Sequence, residues 1–161
     1  MTNDIAMLER ISDLVENYLY RLGTAWVAFY IFPNLENHYD FARFIRLFMM
    51  SLKRAICCPG YLWSYDSNKG CYYLILLVNG CFRHGMNDIT DTAQRIWNRY
   101  SPFPIQFIAE MLITSETKDQ DKTKILEIIN GMQFASSTPQ RLLPPHHRTF
   151  ACSTLYYDGK K

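Results

Sequence analysis

Two side chains that could bind a metal stand two residues apart near the start of a predicted strand. Cys71 and Tyr73 open the segment CYYLILLVN (71–79), whose bulky and β-branched residues predict a β-strand. Side chains at i and i+2 of a strand face the same way. A thiolate prefers soft metals, whereas a phenol is a poor ligand for a hard cation such as Mg²⁺. We therefore interpret Cys71 as filling a small gap and Tyr73 as presenting its ring on an open sheet face.

A second set of potential ligands lies near the end of the chain, at His146, His147 and Cys152. Adjacent histidines point to different sides, and zinc takes four ligands at closed spacing. The proline content of SSTPQRLLPPHH (136–147) predicts a solvated loop instead. We therefore expect neither a metal nor another cofactor.

Basic residues gather on one face of a predicted amphipathic helix, HYDFARFIRLFMMSLKRA (38–55). Such a stripe could contact DNA phosphates. It is equally typical of the solvated face of a helix, and a net charge of +2 is too small to indicate nucleic-acid binding. We favour the solvated face, with DNA contact as the alternative, for Arg43, Arg46, Lys53 and Arg54.

Aromatic side chains are concentrated on the predicted strands TAWVAFYIF (24–32), GYLWSYD (60–66) and CYYLILLVN (71–79). Alternation along a strand sends about half of them to each face of the sheet. A face rich in Tyr and Trp is typical of a protein interface, although it could also stack on single-stranded bases or pack under a terminal helix. The predicted partner-binding residues are Trp26, Tyr30, Trp63, Tyr65 and Tyr73.

Composition predicts one domain over residues 1–161. The chain is 48% hydrophobic and 15% aromatic, which excludes an intrinsically disordered protein. Its longest apolar run is too short to span a bilayer. Five cysteines without a C-x-x-C pair predict reduced thiols and a cytoplasmic location.

The order of the predicted elements indicates an α+β fold. A helix over 4–22 precedes strand-helix-strand-strand-helix-strand, and a further helix and strand follow. The middle is the split βαβ arrangement of a ferredoxin-like core. We expect an antiparallel sheet of four to five strands, with helices on one face and the other face open. The first helix either covers part of that face or forms a dimer seam.

Five segments, in order, resemble the YagK/YfjJ-type family, also called inovirus replication-protein-like, which is related to the HUH replication initiators. The similarity covers residues 24–155 as an HUH-like core, with 156–161 as a tail. No single motif is specific, so the ordered series carries the resemblance: AFYIFP (28–33), YLWSYD (61–66), KGCYYLILLVN (69–79), ITDTAQRIWNRY (89–100) and RTFACS (148–153).

The resemblance implies a site that this chain lacks. HUH proteins carry two histidines at i and i+2 of one strand, where they hold a divalent cation that polarises a phosphate, and a helix tyrosine attacks that phosphate. Here Cys71 and Tyr73 stand at the histidine positions, and no tyrosine occurs between 101 and 155. The expectation is an inactive relative. A nickase using a displaced Tyr100, Tyr156 or Tyr157 is the remotest alternative.

Proteins of this family are encoded by prophages, phage satellites and filamentous phages. The resemblance therefore implies a protein of a mobile element that acts in the bacterial cytoplasm. Its expected role is to bind a helper-phage protein, such as the small terminase subunit, and so to block or redirect DNA packaging. The alternative is a DNA-binding replication factor that recognises an origin or hairpin without cutting it.

Overall fold

The computed structural model describes residues 2–37, 39–54, 59–66, 69–80, 85–116, 118–132 and 150–152. Four helices and five strands occur in this part of the chain, in the predicted order. In chain order they are α1 (Thr2–Leu22), β1 (Thr24–Pro33), α2 (Tyr39–Arg54), β2 (Gly60–Asp66), β3 (Cys71–Asn79), α3 (Gly85–Trp97), β4 (Gln106–Thr114), α4 (Lys118–Met132) and β5 (Phe150–Cys152).

The strands form one antiparallel sheet in the order β4-β1-β3-β2-β5. The prediction of an α+β chain with an N-terminal helix and an antiparallel sheet is therefore confirmed. β3 lies in the middle, so seven of its nine residues are buried. β5 contributes only three residues, opposite Leu62–Ser64.

One face of the sheet is covered by α2 and α3. α2 places its apolar residues at helical spacing, and six of them are buried. Phe41 stacks on Tyr72 of β3 with ring centroids 4.1 Å apart. The ring centroids of Trp97 of α3 and Phe32 of β1 lie 5.0 Å apart. Edge-to-face and offset ring pairs of this kind stabilise a core beyond simple area burial.

The opposite face is covered too, by α1, so the expectation of an open face is wrong, and of the two arrangements considered for the first helix the cover of this face is the one present. Apolar residues of α1 recur at helical spacing and pack on the sheet together with Ile125 of α4. This face is predominantly apolar, with Val27, Phe29 and Ile75 among its residues, so burying it under α1 is favourable. The buried α1 residues are Ile11, Leu14, Val15, Tyr18 and Leu19.

The turn between β2 and β3 fixes where β3 begins. Gly70 adopts the left-handed region with φ of 64°, which glycine tolerates best. The carbonyl of Asp66 accepts a hydrogen bond from the Gly70 amide at 2.9 Å, and its carboxylate accepts one from the Lys69 amide at 3.3 Å. Cys71 therefore starts its strand in a fixed register opposite Asp66.

Several predicted features lie outside the described residues: the loop over 136–147, His146, His147, and the tail over 156–161. Within the described part, no helix is long and apolar enough to cross a membrane.

Candidate functional site

Cys71 and Tyr73 lie on the face that α1 covers. Tyr73 is 1% exposed and belongs to the same apolar cluster as Val15 and Leu19 of α1. Cys71 is half-buried at the margin of this cluster. The residues opposite them on β2 are Ser64 and Asp66, both buried. The two side chains share a face as predicted, but the prediction that Tyr73 shows its ring on an open face is wrong.

The chemistry of this pair suits a buried neutral contact. The Tyr73 hydroxyl and the Cys71 thiol share a side-chain hydrogen bond. Burial and then this hydrogen bond raise the pKa of Tyr73, and the nearby Asp66 carboxylate adds to the rise. Burial also raises the pKa of the Cys71 thiol. Both groups therefore keep their protons near neutral pH, whereas metal ligation needs the deprotonated thiolate. Among the described residues, no three His, Cys, Asp or Glu side chains cluster closely enough to hold a metal ion.

The other aromatic residues predicted to bind a partner lie on the α2/α3 face. Tyr30, Trp63 and Tyr65 are 9% exposed or less, so the prediction that they form an exposed interface is wrong. Alternation did divide the aromatics between the two faces, but helices cover both. Trp26 alone of the five stays half-buried rather than buried.

The polar tips of these buried rings find partners inside the protein. The Tyr30 hydroxyl lies 2.9 Å from the Thr90 hydroxyl, and burial raises the pKa of Tyr30 to about 12. The Tyr65 hydroxyl donates to the Asn34 side chain at 3.3 Å. A buried hydroxyl with an internal partner stabilises a core, and it offers no free donor to a ligand.

The basic stripe of α2 is exposed along its whole length. Arg43 forms an ion pair with Asp40 at 2.8 Å within the helix, while Arg46, Lys53 and Arg54 face outward. The solvated face that we favoured is present, and contact with DNA stays a prediction.

Arg54 shares a groove with two arginines that the sequence analysis did not select. Arg95 lies on α3, and Arg99 follows that helix in a turn. Within the described residues, none of these three guanidinium groups forms an ion pair. We call this cavity, of about 190 Å³, the arginine groove; it is lined by Leu47, Met50, Ser51, Arg54, Arg95, Ile96 and Arg99. Arg95 and Arg99 are four residues apart, but their meeting with Arg54 depends on the packing of two helices.

Exposed apolar side chains gather at the outer strand β4 and at the segment that leads into it. Six large hydrophobic side chains are exposed in the described part of the chain, and half of them lie on β4 or just before it. They are Phe103, Phe107 and Leu112, with exposed fractions of 61%, 41% and 47%. We call β4 together with these side chains the β4 edge. The sequence predicted this strand but not its place at the border of the sheet.

A scan against protein-family models finds no match, and neither does a comparison with the curated proteins or with the solved structures. Three places in the described part of the chain bear on its function: the covered Cys71–Tyr73 pair, the arginine groove and the β4 edge.

Proposed function

We propose that this chain is a catalytically inactive, HUH-derived protein of a mobile genetic element that acts by binding a helper-phage protein. The strand order β4-β1-β3-β2, with α2 and α3 on one face, supports the ferredoxin-like part of this proposal. The relation to HUH initiators rests on the ordered segments between residues 28 and 153.

The burial of Tyr73 carries the proposal. On the resemblance, Cys71 and Tyr73 occupy the positions of the two metal-binding histidines. Tyr73 is 1% exposed beneath α1, so a phosphodiester could reach it only if that helix moved away. The helix that would supply the nucleophile, α4, has no tyrosine. Losing the ligands, the access and the nucleophile together favours a fold retained without its reaction.

The partner that we propose is the small terminase subunit of a helper phage. A small protein bound to that subunit would keep it from recognising phage DNA, or would direct packaging toward the genome of the mobile element. This assignment rests on the resemblance to a family that prophages, phage satellites and filamentous phages encode. The surface involved must differ from the buried aromatics.

Co-expression tests this function. The tagged chain and a small terminase subunit are produced together and purified at moderate salt after nuclease treatment. Light scattering then measures the molar mass of the product. We expect a complex of fixed stoichiometry that survives the nuclease. Separate elution of the two proteins, for the terminase subunits of every phage that mobilises the element, would refute the terminase assignment.

A second candidate is a DNA-binding replication factor that does not cleave. The arginine groove favours it, because three cationic side chains meet there with no carboxylate among the lining residues, and a cleft of one charge sign attracts anions. The α2/α3 packing places this groove on the side of the sheet away from Tyr73.

Salt dependence separates the second candidate from the first. If the groove binds three phosphates of a DNA hairpin, the logarithm of affinity should fall with the logarithm of salt concentration with a slope of about −3. Arg95→Gln and Arg99→Gln should each reduce that slope by about one, whereas Lys124→Gln, at an exposed position of α4 outside both the groove and the basic stripe, is the matched control. Equal effects of all three variants would show only diffuse attraction.

A further inference from the structure

We infer that the β4 edge binds an extended segment of the partner protein, which adds to the sheet as a further strand and places a lysine or arginine opposite Glu110. This inference deepens the proposed function, since it names the surface and the kind of partner segment. It is drawn from the topology of the sheet and the charge and exposure of β4.

The backbone of β4 supplies the first argument. Among the described strands, β4 pairs only with β1, so its outer side presents backbone N–H and C=O groups to any strand that approaches. Native proteins protect such edges, and an exposed edge of this length is a template for strand addition. β4 spans nine residues with one register shift against β1, between Phe107 and Ala109, so the regular stretch open to a further strand runs over Ala109–Thr114.

The side chains supply the second argument. Phe107, Glu110 and Leu112 pair with Tyr30, Ala28 and Trp26 of β1. All three therefore point to the α2/α3 face, and all three are exposed. An apolar residue thus lies on each side of one carboxylate. A partner strand that fits this pattern carries apolar residues on the same face, with a cation between them.

The strand is held in place before any partner arrives. On its other face, Ile113 is buried in the cluster formed with α1 and α4. The segment leading into β4 is tied to α3, because the Trp97 indole donates to the Phe103 carbonyl at 3.0 Å and the Ile105 amide donates to the Gln94 side chain at 2.9 Å. A fixed edge lowers the entropy cost of binding.

Charge selects among the possible occupants. A second copy of this chain, paired antiparallel with full overlap of β4, would place Glu110 against Glu110, and like charges directly opposite are destabilising. A nucleic-acid backbone would meet the same carboxylate. A cationic strand alone gains from Glu110.

A peptide probe tests the edge directly. The probe is a nine-residue peptide of alternating Thr and Val with Lys at its centre, and the control peptide has Glu there. Binding is followed by NMR of the backbone amides of the full-length chain. We expect shifts along 106–114 and a three- to tenfold preference for the Lys peptide. Glu110→Lys should reverse the preference, whereas Glu127→Lys, an exposed charge on α4, should not.

Each other outcome overturns the inference. Absence of shifts along 106–114, equal binding of the two peptides, or an unchanged preference in Glu110→Lys would show that β4 does not accept a cationic strand. A wild-type dimer whose amides over 106–114 are protected from exchange would show that a second copy occupies the edge. The terminase complex could still form in all these cases, so failure here is distinct from failure of the proposed function. If the complex forms, Glu110→Lys should weaken it at least tenfold.

Discussion

For Tyr73, the role expected from the sequence differs from the role that the structure shows. The family that the sequence resembles has a metal-binding histidine at this position, two residues after Cys71. A tyrosine there instead suggested an aromatic ring exposed at a protein interface. The structure places Tyr73 in the core, with 1% of its surface exposed and its hydroxyl hydrogen-bonded to the Cys71 thiol. Its contribution is therefore to stability, which can be measured.

We predict that Tyr73→Ala lowers the free energy of unfolding by about 3–5 kcal/mol, as removal of a large buried ring does. Tyr73→Phe keeps the ring and loses one hydrogen bond, so it should cost about 1 kcal/mol. Urea denaturation followed by fluorescence measures both. The matched control is Tyr20→Ala, because Tyr20 is 71% exposed. If Tyr73→Ala were as stable as the control, the ring would not be a core residue.

The buried phenols also predict how stability depends on pH. Burial raises the pKa of Tyr30 from 10.0 to about 12, and it raises the pKa values of Tyr72, Tyr73 and, less, Tyr65. Above pH 10 the unfolded chain releases these protons while the folded chain keeps them. Stability is therefore complete below about pH 10 and falls as pH rises toward 12.

For Tyr30 alone, a rise of two pKa units corresponds to about 3 kcal/mol lost over that window. The test combines urea midpoints from pH 8 upward with tyrosinate absorbance in the folded state. Tyr30→Phe should flatten the fall in stability. A midpoint that stays constant up to pH 12 would contradict the burial of these rings.

At the scale of elements, α1 decides what the sheet can do. Its buried residues recur every three to four positions and pack on Tyr73, Ile75 and Leu77. Without α1 this face of the sheet would be open, and the sequence left undecided whether the helix would cover it or form a dimer seam. The helix therefore converts a potential binding face into a second core.

We predict that Leu19→Ala lowers the free energy of unfolding by about 2–5 kcal/mol, because Leu19 is 3% exposed and its removal leaves a cavity. Asp13→Ala on the exposed side of the same helix should change stability by no more than about 0.5 kcal/mol. Thermal unfolding of both variants gives the comparison. A small effect of Leu19→Ala would mean that α1 is not firmly docked on the sheet.

The sequence predicted the elements better than their surroundings. The stripe from Phe41 to Leu52 and the apolar run of β3 are local patterns, so helix and strand bounds could be derived from them. Whether Trp63 or Tyr73 meets water depends on elements distant along the chain, and alternation assigns only which residues share a face. The arginine groove and the β4 edge were missed for the same reason, since helix packing and strand order are non-local.

For the whole molecule, helices on both faces leave the sheet border as its most accessible part within the described residues. β4 ends the sheet on one side and carries exposed Phe107 and Leu112 around Glu110. We therefore propose this edge, rather than either face of the sheet, as the place where another chain binds. The arginine groove, on the α2/α3 side, is the place where nucleic acid would bind if the alternative function held.

We propose that this chain acts by binding a phage protein. The most direct measurement is a pull-down of the tagged, full-length chain from cells carrying an induced phage, with nuclease added, read by quantitative mass spectrometry. We predict that one phage protein is recovered in stoichiometric amount and that its recovery is unaffected by the nuclease. Recovery of nothing beyond a background that disappears with nuclease would contradict binding of a phage protein. It would favour DNA binding through the arginine groove instead.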